Sequence, residues 1–500
     1  MVFLYNINIK MDVFVNKVEK VEYPPQPFHP DYVYSELMGL PYVPVAGGRN
    51  EIYEGIRRIF ENLGFDRENQ GSAQWNPLKD YVKPGQKVLI KPNLVRGEHP
   101  YGDMYVESMI TNASIIRPLV DYILLATSGH VSIKIGDVPL QDCKWEDAVR
   151  KSGLQQLINF YKEKDIEIEL VDMRFEIAYV NKYDIVDRRV KNPLRNREMY
   201  KAVNLGNQSE LMDVIANSGR FEITDYGKGT VRKHHNKEKN EYLIPGEVLD
   251  ADLFINVPKL KTHRKAGYTC AMKNLIGING DKSWIAHHTR GIKGKNGDEF
   301  NNNISTKKFL EIRIWNWLKL SRVGIIVASF LKMFFIRYVW KGKTYKQISA
   351  EGKDTTNFFE GSWYGNDTLW RCIKDLNKII LYADKNGIMQ EKQQRKYLCI
   401  VDAVWAGEKE GPMEQQPKSL GVIFGGINPV YIDYAAAKLM KYNYLELPTI
   451  YHGFENRWWN LVDKSPEEVI IGSNKPIEKI ASYFEPTVGW KTKLYESTSS

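Results

Sequence analysis

Cysteine is scarce and scattered in this chain. Cys143, Cys270, Cys372 and Cys399 lie more than twenty residues apart and form no C-x-x-C pair. Thiolate zinc sites and iron–sulfur clusters therefore have no signature, and a chain with reduced thiols, as in the cytoplasm, with no iron–sulfur cluster is expected. Zinc-finger spacing, an RNP-like aromatic pattern and a basic block opening a zipper are all missing, which argues against nucleic acid as a partner. No G-x-G-x-x-G opens a helix, so dinucleotide redox chemistry has no fingerprint. The start, Met1 to Asn8, lacks a positive region followed by an apolar core and a small-residue cleavage site, so secretion is not expected. The most hydrophobic stretch, 311–343, is broken by Arg322, Lys332 and Arg337. Spanning a bilayer takes about 20 mostly apolar residues, so a clean transmembrane helix is not expected.

What remains is a large chain able to bury a core: 500 residues, 43% hydrophobic and 12% aromatic. Its formal charge of +9 reads as a modest excess spread along the chain, which points to an anionic ligand or surface.

Four segments read as buried strands, and each ends in chemically capable side chains. They are Lys87–Ile90 running into Lys91-Pro92-Asn93, Val131–Ile135 into Gly136-Asp137, Leu253–Asn256 into Lys259, Lys261 and His263, and Tyr397–Val401 into Asp402. A helix with an Asn cap and a Gly stop is expected over 50–64, and another over 114–127. Strands alternating with helices predict an α/β fold: a mostly parallel sheet with helices on both faces, plus a helical, partly hydrophobic insertion. The divisions expected are a lead-in and first helix over 1–80, a discontinuous core over 81–282 and 366–480, and an insertion over 283–365. Residues 180–245 are polar and read as hairpins or loops at the sheet edge, with Arg232 to Lys237 as a solvated basic loop. The glycine- and asparagine-rich tract 291–303 reads as a flexible hinge into the insertion.

In an open α/β sheet the carboxyl ends of the strands line one crevice, so these distant residues can converge on one ligand. Lys91 and Asn93 suit a phosphate or carboxylate. In extended backbone Lys259, Lys261 and His263 point the same way, and cations on one face repel unless an anion or carboxylates stand opposite. Lys273 and Asn274 follow close behind. Asp137 and Asp402 are placed to hold a divalent cation, magnesium or manganese, and Asp402 and Glu408 can also serve as acid and base. His263, whose ordinary pKa lies nearest neutrality, is the expected general acid or base. Asp433, in the first turn of a helix, can simply complement its dipole.

The motifs K-P-N-L at 91–94, G-D at 136–137, N-V-P-K-L-K-T-H at 256–263, K-N-L-I-G at 273–277, D-A-V-W-A-G-E-K-E-G-P at 402–412 and G-G-I-N-P-V-Y-I-D at 425–433 together resemble the domain of unknown function 362 family, over about 80–282 and 366–445. The resemblance implies the α/β fold and the site positions, but no reaction. Members often carry a ferredoxin-like cysteine module, which is missing here, and Val404-Trp405 stands where the family tends to have a glycine-rich turn.

Two functions follow as expectations. One is an enzyme, a transferase or hydrolase, acting on a small phosphorylated or carboxylated substrate in envelope polysaccharide metabolism. The other is a non-catalytic, membrane-peripheral protein that binds an anionic glycan, a lipid-linked intermediate or a partner enzyme. For the second, 311–343 is either a buried helix or an amphipathic one lying in a membrane interface, and Tyr451, His452, Trp458 and Trp459 either stack on sugars or pack in a core.

Overall fold

The structure, a computed structural model, describes residues 10–181, 185–223, 226, 229–318, 321–334, 337–338 and 360–495. Ten strands form one mixed, mostly parallel sheet: β1 (Val13–Lys17), β2 (Lys87–Pro92), β3 (Ser132–Asp137), β4 (Ile168–Asp172), β5 (Leu253–Val257), β6 (Lys259–His263), β7 (Gly267–Thr269), β8 (Lys396–Glu410), β9 (Glu414–Gly426) and β10 (Ile471–Ser473). The order is β10-β1-β9-β8-β5-β2-β3-β4, with β6 joined to β8 and β7. The four strands whose ends carry the chemistry, β8, β5, β2 and β3, are consecutive neighbours and all parallel. Their registers align Cys399, Asn256 and Lys91 at one level, so the residues that follow emerge side by side.

Alternation along these strands feeds two cores, one on each face. Val88, Ile90, Leu253, Ile255, Leu398 and Ile400 pack with helices α1 (Glu51–Asn62) and α2 (Ile116–Thr127). Leu89, Phe254, Cys399 and Val401 point to the other side, where α5 (Leu369–Tyr382) and α6 (Pro429–Met440) lie. Asn50 caps α1 as expected, its Oδ1 accepting from Tyr53 N at 3.0 Å.

Several expectations are corrected. The strand at 397 does not stop at Asp402; it runs on to Glu410 and folds back antiparallel as β9, with a register shift between Ala403 and Trp405. The lead-in contributes the strand β1 to the main sheet; residues 1–9 of it lie outside those described. The tract at 291–303 is built into the fold: Asp298 is buried and accepts from Thr289 N, Asp367 N and Thr368 Oγ1. In the basic loop, His235 is fully buried and its Nε2 bonds Trp284 O at 2.6 Å, while His234 stacks on the Trp284 ring. The hydrophobic stretch is two helices, α3 (Thr306–Leu318) and α4 (Arg322–Phe334), that pack on each other; residues 319–320, 335–336 and 339–343 of it lie outside those described. No helix among the described residues is long and apolar enough to cross a membrane.

Candidate functional site

The strand ends converge through one short loop. Met109 O accepts from Lys261 Nζ at 2.5 Å, Thr111 Oγ1 accepts from Asn93 N at 2.9 Å, and Asn112 N donates to Asp402 Oδ2 at 2.9 Å. Three successive stations of this loop thus touch the end of β2 and the middle of β6 and of β8.

Two buried ion pairs frame the crevice. Lys259 Nζ lies 2.6 Å from Asp402 Oδ2, both fully buried. Tyr23, from the proline-rich lead-in, completes that pair: its hydroxyl accepts from Lys259 at 2.7 Å and donates to Asp402 Oδ1 at 2.8 Å. Lys91 Nζ lies 2.7 Å from Asp137 Oδ1, and Asp137 Oδ2 accepts from Leu94 N. Gly277 closes this second pair. A Cβ there would stand 2.4 Å from Asp137 Oδ1 and 2.6 Å from Lys91 Nζ, so the K-N-L-I-G turn needs glycine at that point. Burial pulls both lysines below their ordinary range, and each carboxylate partner works against that shift.

Between the pairs runs a chain of amides. Lys261 Nζ donates to Asn93 Oδ1 (2.9 Å), Asn93 Nδ2 to Asn274 Oδ1 (2.7 Å), Asn274 Nδ2 to Asn256 Oδ1 (2.8 Å), and Asn256 Nδ2 to Tyr397 Oη (2.9 Å). Each amide's orientation is set by its neighbour, so the chain fixes Lys261 in one pose.

The other basic groups of the crevice form no ion pair among the described residues. Among the described residues Lys261, buried, has only neutral oxygens as partners, Asn93 Oδ1 and Met109 O. Burial, then Lys273 and Lys259, push it well below the lysine range. Lys273 makes no hydrogen bond or ion pair among the described residues; burial, then Lys91 and Lys265, push it down to about 7. Lys282 donates to Ile276 O and is likewise lowered to about 7 by burial. His263 Nδ1 accepts from Lys265 N and Ala266 N, which leaves the proton on Nε2. Burial, then Lys273 and Lys261, hold its ring neutral.

The residues proposed from sequence therefore separate into groups. Lys91, Asn93, Asp137, Lys259, Lys261, Lys273, Asn274, His263 and Asp402 share the crevice. Glu408 does not join them: its Oε2 bonds Lys418 Nζ at 3.0 Å and Glu485 N at 3.1 Å on the β8–β9 hairpin. Asp137 and Asp402 do not form one metal site. They stand on β3 and β8 with two strands between, about 14 Å at ~4.8 Å per strand, and each already holds a lysine. Among the described residues, Glu222, His288 and Glu299 bring ligand atoms together, but Arg290 and Arg313 neutralise those carboxylates. Asp433 lies beyond the first turn of α6, so it does not complement that helix's dipole as expected. Fully buried, it accepts from Tyr268 Oη (2.5 Å), Ala271 N (2.7 Å) and Met272 N (3.1 Å), and so anchors the turn that carries Lys273 and Asn274. Tyr23 and Lys282 escaped sequence reasoning. Tyr23 gives no local signal, since its partner is 379 residues away; Lys282 follows the K-N-L-I-G motif closely enough to have been included.

The fold and crevice define an α/β protein whose sheet encloses a cluster of basic side chains without ion-pair partners among the described residues. A family model described as a domain of unknown function, DUF362, matches residues 185–438, just over half of the chain. The chain belongs to that family. The matched span contains Lys259, Lys261, His263, Lys273, Asn274, Asp402 and Asp433, and leaves Lys91, Asn93 and Asp137 outside. No curated protein matches the chain.

Proposed function

We propose that the crevice binds a small phosphorylated or carboxylated substrate and that the protein is an enzyme of transfer or hydrolysis on it. The observation that carries this reading is the buried Lys261 amino group, held by two neutral oxygens with Lys273 and His263 beside it and, among the described residues, no carboxylate paired with it. An ammonium without a counter-ion costs several kcal/mol to bury, and an anion among these groups removes that cost. Lys273, lowered to about 7, is suited to taking up or releasing a proton near neutrality. A bound anion raises the pKa of His263, whose Nε2–H then serves as donor or acid. Exposed rings at Tyr451 and Trp458 offer faces for a sugar, and envelope polysaccharide metabolism is the setting we propose.

A second reading, binding without catalysis, draws on one observation: both crevice aspartates are already engaged by lysines. Turnover of phosphorylated and carboxylated sugars by the full chain, compared with Lys273→Met, separates the two. Turnover lost in the variant supports the enzyme, saturable binding without turnover supports the second reading, and no binding at all contradicts both.

A further inference from the structure

The charge of this chain is not evenly distributed. Residues 306–346 contain ten lysines and arginines and a single acid, Glu311, a net +9. The chain as a whole has 70 basic and 61 acidic residues, so the remainder has sixty of each and is neutral. The entire excess belongs to the helical hairpin α3–α4 and the segment just after it.

The same hairpin carries its apolar side chains the wrong way round for a helix packed on a core. In α4 the buried positions are the small Gly324 and Ala328, while Val323, Ile326 and Phe330, spaced as one helical stripe, face solvent. In α3 the exposed stripe is Leu310, Ile314 and Trp317. Each of these six residues is more than half exposed. The hairpin is nevertheless attached: Arg313 pairs with the buried Glu299, and Asn181 Nδ2 donates to Ser329 Oγ at 2.9 Å. Its inner side is fixed and its outer side presents large apolar groups. Patches of this kind mark interaction sites.

We infer that α3–α4 docks on the surface of a membrane containing anionic phospholipid. Two features select this partner. Exposed aliphatic and aromatic stripes beside a strongly basic composition match the interface between headgroups and acyl chains. A second copy of the chain would instead bring +9 against +9. At thirteen residues each, the helices are about 20 Å long, too short to span a hydrocarbon core of about 30 Å, so they lie in the interface. The inference is independent of the crevice and holds whether or not the bound anion reacts.

The test is co-sedimentation of the full chain with extruded vesicles of phosphatidylcholine alone or mixed with phosphatidylglycerol. Binding to the mixed vesicles is expected, at least about tenfold weaker on neutral vesicles and at high salt. Ile326→Glu/Phe330→Glu should abolish it while leaving the thermal midpoint and crevice anion binding unchanged. Absence of binding by the parent chain, or equal binding by the charged variant, overturns the inference. So does a lipid-free oligomer that the variant converts to monomer while the parent ignores vesicles.

Discussion

The Nζ of Lys261 donates to the side-chain oxygen of Asn93 at 2.9 Å, across 168 residues of sequence, and its other partner is the Met109 carbonyl. A fixed, buried amine facing only neutral oxygens gains its proton most readily when an anion enters beside it. Asn93 is in turn held by Asn274, and Asn274 by Asn256.

That amide chain makes the first prediction. Asn274→Ala leaves Asn93 Nδ2 and Asn256 Oδ1 buried without partners, at about 1–3 kcal/mol each. Urea unfolding should show that loss, and anion affinity should fall because Lys261 is no longer oriented. With Asn93→Ala added, the two losses should sum to clearly more than the double variant's loss, as neighbours in one network do.

Lys273 predicts a pH dependence. Its pKa is lowered from 10.5 to about 7 in the folded protein, so above pH 7 the unfolded chain holds the proton that the folded one has lost. Stability from this group therefore rises with pH between about 7 and 10. Lys273→Met should flatten the slope between pH 7 and 9 by up to one proton, about 1.4 kcal/mol per pH unit. Saturating phosphate should flatten it in the parent too, by raising the folded-state pKa.

Asp433 predicts the opposite sign. Burial raises its carboxyl from 3.8 to about 7, so its contribution is fully present below about pH 4 and is lost as pH climbs to 7. Asp433→Asn should remove that decline from a profile of thermal midpoint against pH. It should lower the midpoint at every pH, because amide groups cannot replace both acceptors at Tyr268, Ala271 and Met272.

Asp402 belongs to the frame in this account. Asp402→Asn breaks a buried pair and should cost about 3–5 kcal/mol in urea unfolding. Any thermal shift that magnesium or manganese gives the EDTA-treated parent should persist in the variant. A shift confined to the parent would instead place an ion at Asp402.

Much of the architecture was legible in the chain. Leu253–Ile255, Lys87–Ile90 and Tyr397–Val401 read as buried strands because apolar runs of that length have few other uses, and they are neighbours in the sheet. The end of the last strand was misread because Asp402, polar and followed by glycines, looks like a terminus, whereas the Lys259 and Tyr23 contacts let it sit mid-strand. Glu408 looked catalytic by proximity in sequence, yet six further residues of extended chain carry it to the hairpin. The Tyr23 contribution and the counter-ion deficit at Lys261 depend on which distant groups meet, and no local pattern records that. The +9 excess was present in the sequence, and the exposed stripes of α3–α4 gave it meaning.

The most direct measurement is calorimetric titration of the full chain with inorganic phosphate or citrate at pH 7.5, in two buffers of different ionisation enthalpy. One saturable site is predicted, with proton uptake on binding because the entering anion raises the pKa of Lys273, and with affinity lost in both Lys261→Met and Lys273→Met. No binding of either anion, or binding unchanged in both variants, would contradict an anion site at these lysines.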